Sequence, residues 1–159
     1  MGQPDGKDVT VTGAGGGIGL AATLHLYDEG AKVVATIHSD KNIDELKKDD
    51  GRLVTRVVDV SQEEEVKDLI AFTTSTFGGL NAIVNNAGIL IPGPVMDSSV
   101  DDFQRPFDVN VKGVVLAATY ALPKLLKASG GLIVHFGTTN SLGAGRQLAT
   151  NPATQSSLL

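Results

Sequence analysis

The stretch Val9-Thr10-Val11-Thr12-Gly13-Ala14-Gly15-Gly16-Gly17-Ile18-Gly19 decides the fold. Its first four residues are β-branched and read as a short buried strand, and Gly13 to Gly19 reads as a flexible loop. From Ile18 the apolar residues Ile18, Ala21, Ala22, Leu24 and Leu26 follow helical spacing as far as Glu29. Gly30 then stops the helix as a C′ glycine. Glycines between a strand and a helix let the backbone turn tightly, admit a phosphate to the main chain and bring the helix close to the sheet. The helix N-terminus adds unpaired N–H groups and a positive dipole end. A glycine cluster alone is only a turn. Between a strand and a helix, it predicts a dinucleotide site.

The same alternation continues outward from this unit. Lys32 to Ile37 reads as a second strand, Ile43 to Lys48 as a short polar helix and Arg52 to Val58 as a third strand. Ser61 and Glu64 fit a capping box that opens a helix running to about Thr76, which Gly78-Gly79 breaks. Asn81 to Asn85 is a fourth strand, and a loop with Pro92 and Pro94 leads into a long helix from about Val100 to Lys127. Pro123 predicts a kink or a late turn there. Gly131 to Phe136 is a fifth strand. Strands alternating with helices imply βαβ crossovers, and near-continuous apolar strands imply a sheet covered on both faces. The expected fold is α/β: a Rossmann-type three-layer α/β/α sandwich with parallel strand order 3-2-1-4-5. Its ligand crevice lies between the first and fourth strands, where the order reverses.

Composition narrows the function classes. The chain has 159 residues, 42% of them hydrophobic and 19% charged, which is room for one domain with a real core. Its net charge of −5, with no basic run, argues against nucleic acid and anionic membrane surfaces as partners. No cysteine is present, which removes disulfides, thiolate catalysis and cysteine-based metal sites, and fits a reducing, cytoplasmic location. Three scattered histidines make no zinc site. The polar N-terminus lacks a signal-peptide core, and no apolar run reads as the ~20 residues of a membrane helix.

The motifs then fall into a known order. Thr12 precedes Gly13-x-x-x-Gly17-Ile18-Gly19; Asp59-Val60 ends the third strand; Asn85-Asn86-Ala87-Gly88 ends the fourth; Asn110 stands inside the long helix. In these features, over residues 7 to 142, the chain resembles the short-chain dehydrogenase/reductase family. The resemblance implies an NAD(P)-dependent oxidoreductase acting on small alcohol/carbonyl substrates. It implies cofactor contacts from Thr12, Gly13, Gly17, Ile18, Gly19, Asp59, Val60, Asn86, Ala87 and Gly88, with Asp59 at the adenine. Read on its own, Asp59 is a strand-end turn or a helix cap, and Asn85 to Gly88 an ordinary turn. Asn110 is a poor mid-helix residue, which favours a special role.

The family's catalytic serine and Tyr-x-x-x-Lys are where the resemblance departs. The serine position is Thr138, whose hydroxyl can still donate to a carbonyl oxygen. Asn151 and Gln155 stand in the tyrosine and lysine slots, and an amide neither releases a proton near neutral pH nor carries charge. Asn110 and Thr138 are therefore the remaining catalytic candidates. Tyr120-Ala121-Leu122-Pro123-Lys124 matches Tyr-x-x-x-Lys as a string, but it precedes the fifth strand and is set aside. Family members continue for about another 90 residues, so residues 1–159 read as a single incomplete dinucleotide-binding domain with an irregular tail at 138–159. The fifth strand is then a bare edge, which predicts a homo-oligomer.

For cofactor choice, the position that would hold a ribose 2′-OH through a carboxylate is Ile37, followed by His38, Ser39 and Asp40. His38, Ser39 and Lys41 can receive a 2′-phosphate although no arginine stands there, and the reading leans to NADP. Three functions remain: an oxidoreductase impaired as written, a non-catalytic nucleotide- or partner-binding module, and a fragment without independent function.

Overall fold

A computed structural model describes residues 4–39, 44–128 and 130–137. The first strand, β1 (Asp8–Val11), is followed by α1 (Gly17–Asp28), β2 (Lys32–Ile37), β3 (Leu53–Val57), α2 (Glu63–Phe77) and β4 (Ala82–Asn85). Then come α3 (Val100–Phe107), α4 (Gly113–Lys127) and β5 (Leu132–His135). The five strands form one parallel sheet in the order β3-β2-β1-β4-β5. Val9 of β1 pairs with Val33 on one side and Ala82 on the other, so the first strand is central, as the sequence reading expects.

Strand alternation distributes the core over both faces. Val9, Val11, Val33 and Ala35 pack with Leu20 and Leu24 of α1. Ile83 packs on the opposite face with Val66 and Ile70 of α2 and Ala117, Ala121 and Leu125 of α4. Both faces of the inner strands β1, β2 and β4 are therefore covered, and those strands are apolar nearly throughout because neither face meets water. The buried Thr10 hydroxyl lies 3.0 Å from that of Thr73, which itself donates to the Leu69 carbonyl. Thr10 is thus the donor between them, and both polar groups are satisfied.

Helix ends follow local chemistry, with two corrections. Gly30, at φ 93°, ends α1 as expected: its N–H donates to the Tyr27 carbonyl and that of Ala31 to the Leu26 carbonyl, a full Schellman motif. The capping box placed at Ser61 is absent. The N-cap of α2 is Gln62, without a side-chain cap, and the Ser61 hydroxyl donates instead to Asp59 Oδ1 at 2.7 Å. A carboxylate two residues back is a charge-assisted acceptor that outcompetes the helix main chain for this hydroxyl. The capping box of this chain opens α3, where the Asp102 amide donates to Ser99 Oγ and the Ser99 amide to Asp102 Oδ2. Among the described residues the short polar helix shrinks to a 3₁₀ turn, Asp44–Leu46, anchored by buried Leu46.

The long helix is continuous from Val100 to Lys127 through a π-turn at Asp108–Lys112, and it runs through Pro123 without ending there. By length and composition alone this helix could cross a membrane, although Lys112, Lys124 and Lys127 interrupt its apolar run. In this fold its Ala117–Ala121–Leu125 stripe is buried against the sheet and α2.

Candidate functional site

The C-terminal ends of β1 and β4 lie side by side, and the loops that leave them are tied together. Thr12, 2% exposed, is the centre of the tie. Its Oγ1 accepts from the amides of Asn86 and Ala87, each at 3.1 Å, and donates to the Val84 carbonyl at 3.4 Å. Asn86 answers with its own amide: Nδ2 donates to the carbonyls of Thr12 at 3.0 Å and Gly13 at 2.9 Å. The loop after β4 therefore supplies the donors and the loop after β1 the acceptors, with the Thr12 hydroxyl bonding back to the strand at Val84.

This closeness dictates two of the glycines. At Gly13, φ is 67° and a Cβ would stand 2.7 Å from Ala87 Cα. A Cβ at Gly19 would overlap Asn86 Nδ2 and the Gly13 carbonyl. Gly17 differs, because it has φ 53° but nothing within 4 Å of its Cβ position. It needs its backbone conformation and leaves open space in front of α1. No side chain caps α1, whose first N–H groups have no intrahelical partner. Ile18 in the first turn is 63% exposed.

Beside this tie opens a cleft of about 360 Å³. Gly13, Ala87 and Gly88 border it, with Ile37 and His38 after β2, Asp59 and Val60 after β3, and Gln104 and Arg105 of α3 on the far wall. Asp59 Oδ1 accepts from both the amide and the hydroxyl of Ser61. Burial pushes the Asp59 carboxyl up, but those two bonds, together with the charges of His38 and Arg105, hold it below the ordinary aspartate value. Val60 is buried, and a Cβ at Gly113 would stand 3.0 Å from its Cγ2, so α4 is pressed onto the cleft wall.

Asn110 sits in the π-turn, 4% exposed. Its Oδ1 accepts from the Ile89 amide at 2.8 Å and its Nδ2 donates to the Ile89 carbonyl at 3.0 Å. The π-turn is closed by the Gly113 N–H donating to the Asp108 carbonyl, five residues back. The side chain of Asn110 thereby fixes the loop that follows β4.

The structure thus brings Thr12, Gly13 and Gly19 against Asn86 and Ala87 and lines one cleft with Gly13, Ala87, Gly88, His38, Asp59 and Val60, while Gly17 and Ile18 stand exposed at the start of α1. Thr138, Asn151, Gln155 and Lys41 lie outside the described residues. Tyr120 is remote: its hydroxyl donates to Glu63 Oε1 on α2. Sequence reasoning missed Arg105, because it searched for a cation only at the end of β2. It also missed Gly113, whose role depends on contact with Val60.

A doubly wound parallel sheet with this glycine turn at its switch point is a Rossmann-type fold. The family model of the short chain dehydrogenases matches residues 7–154. An uncharacterized oxidoreductase of Staphylococcus aureus (strain USA300) is 33% identical over 156 residues, covering 96% of this chain and 67% of that protein. Its counterpart from strain MRSA252 is 36% identical over the same length. Meso-2,3-butanediol dehydrogenase of Serratia marcescens is 35% identical over 141 residues, 87% of this chain and 56% of that protein. The chain belongs to the short chain dehydrogenase family, whose members are oxidoreductases that generally use NAD(P).

Proposed function

We propose that this chain is the dinucleotide-binding part of an NAD(P)-dependent oxidoreductase for alcohol/carbonyl pairs, and that as written it turns over at no more than a trace rate. The observation that carries the binding half is the tie between the loops after β1 and β4. It leaves no room for a Cβ at Gly13 or Gly19, yet leaves the face of Gly17 open. Main chain can be offered to an anion only where side chains are missing, and the N-terminus of α1 points its N–H groups into the same place. The residues present therefore fit a dinucleotide: glycine backbone and α1 for the pyrophosphate, the Asp59–Val60 wall for the adenine, and Asn86 to Gly88 for the far half. When bound, the nicotinamide supplies the hydride or accepts it.

Asn110 acts in this reading as a positioning residue. Its side-chain amide is committed to the Ile89 main chain, so it sets the loop wall rather than touching substrate. Thr138 is the group offered to a carbonyl oxygen, through its hydroxyl. Asn151 and Gln155 provide neither a transferable proton nor a positive charge where the family has tyrosine and lysine. A positioned acid–base group contributes roughly 10²- to 10⁴-fold, which is the loss expected. The same substitutions favour a second reading, a nucleotide-binding module without turnover.

The test is the double replacement Asn151→Tyr with Gln155→Lys, followed by NAD(P)H absorbance over a panel of ketones. A rise of orders of magnitude supports the reading that the missing pair is the defect. Brisk turnover by the unmodified chain would place the proton donor on some other residue and overturn it.

A further inference from the structure

The end of β2 carries no carboxylate to hold a ribose 2′-OH. Ile37 is 2% exposed and packed in the core, and His38 is the first exposed side chain after it. The same cleft is lined by α3, which contributes Arg105. Three arginines fall within the described residues, and the other two are occupied. Arg52 bonds Asp50 and the Tyr27 carbonyl, and the Arg56 guanidinium stacks 4.4 Å from the Phe72 centroid. Arg105 is exposed and has no hydrogen bond, ion pair or ring contact among the described residues.

The carboxylates near Arg105 are largely engaged elsewhere. Asp108 accepts from Gln104 Nε2 at 3.1 Å and lies 3.4 Å from Lys112 Nζ. Asp59 is bonded twice by Ser61, and the charges of His38 and Arg105 act on it without an ion pair within 4.0 Å. Asp101, one helical turn before Arg105, is the other acidic group lining the cleft, and it makes no ion pair within 4.0 Å among the described residues. Among the described residues that line the cleft, the guanidinium is thus the permanent positive charge, in the same cleft as His38.

We propose that Arg105 determines cofactor specificity by binding the adenosine 2′-phosphate of NADP in the cleft that it lines together with His38. This rests on the dinucleotide reading above and goes beyond it, since it names the charge that makes the choice. A planar guanidinium can meet two phosphate oxygens at once, which a ribose hydroxyl cannot exploit.

The experiment titrates the chain and its Arg105→Gln variant with 2′,5′-ADP, 5′-AMP, NADPH and NADH by calorimetry, a readout that needs no turnover. Arg105 is exposed and bonds nothing, so the substitution leaves the fold intact. Expected is a loss of about tenfold or more for 2′,5′-ADP and NADPH, with 5′-AMP and NADH changed less than twofold. Arg105→Lys should restore part of the loss, as a point charge without the fork. Equal weakening of all four ligands would make Arg105 an adenine contact and overturn the proposal, as would unchanged affinities. Failure of the unmodified chain to bind any of them would instead overturn the dinucleotide reading, and the proposal with it.

Discussion

Replacing Thr12 by Val keeps the shape of the side chain and removes one oxygen. That oxygen is the shared acceptor for the amides of Asn86 and Ala87, in a residue only 2% exposed. A buried donor left without a partner costs ~1–3 kcal/mol. Two donors lose the same acceptor, and the Val84 carbonyl loses a weak third bond, so the expected destabilisation is about 2–4 kcal/mol. For a domain of this size that lowers Tm by roughly 5–15 °C. The loops after β1 and β4 would separate at the same point, so dinucleotide affinity should fall as well. Thermal unfolding followed by circular dichroism, paired with calorimetric titration, measures both quantities. Thr12→Ser keeps the oxygen and should stay near the parent. A Thr12→Val protein with stability and affinity indistinguishable from the Ser variant would refute the tie as a structural element.

Other expectations follow from the same geometry. Gly19→Val puts a branched side chain onto Asn86 and the Gly13 carbonyl, and Gly13→Val meets Ala87, so either should abolish dinucleotide binding; unchanged affinity in a folded variant would move the site elsewhere. The Asp59 carboxyl is held below its ordinary value, so the stability it contributes is full above its unfolded pKa of about 3.9 and is lost as pH falls through the lower folded value. Asp59→Asn should flatten that acid limb in a pH series of unfolding curves, and an unaltered limb would contradict the assignment. Leu132 on the outermost strand and Phe136 just after it are 58% and 39% exposed, which favours self-association. Light scattering that shows a monomer unchanged on dilution would oppose it.

The parts of the fold that were legible in the sequence are those fixed by local chemistry. Valines, isoleucines and threonines in short runs, punctuated by glycine, mark all five strands, and the observed ends differ by at most one residue. The order 3-2-1-4-5 follows from crossovers and from the position of the glycine turn. Side-chain competition was less legible. Ser61 looks like a cap until Asp59 takes its hydroxyl, and Ser99 caps α3 without having been singled out. Pro123 reads as a kink or a late turn, and α4 runs on through it to Lys127, with Ala121 and Leu125 packed in the core on either side. Most of the crevice was visible as motifs, since glycine and asparagine at strand ends have few other uses. Arg105 was not, because only the path of the long helix brings it to the cleft that His38 also lines.

The π-turn at Asp108–Lys112 acts as an indexing device for that helix. Each residue of an α-helix advances the face by about 100°, so a segment with one residue too many offsets the two halves about the common axis. Below it, Ala117, Ala121 and Leu125 are keyed into the sheet and cannot rotate. Above it, the aim of Gln104 and Arg105 is free to be reset without disturbing any buried contact of the lower half. Removing a single residue from this segment would swing the upper side chains away from the crevice while the sheet beneath stayed as it is. Length variation at this one point is therefore a route by which a chain of this fold could change what its cleft accepts while keeping its core.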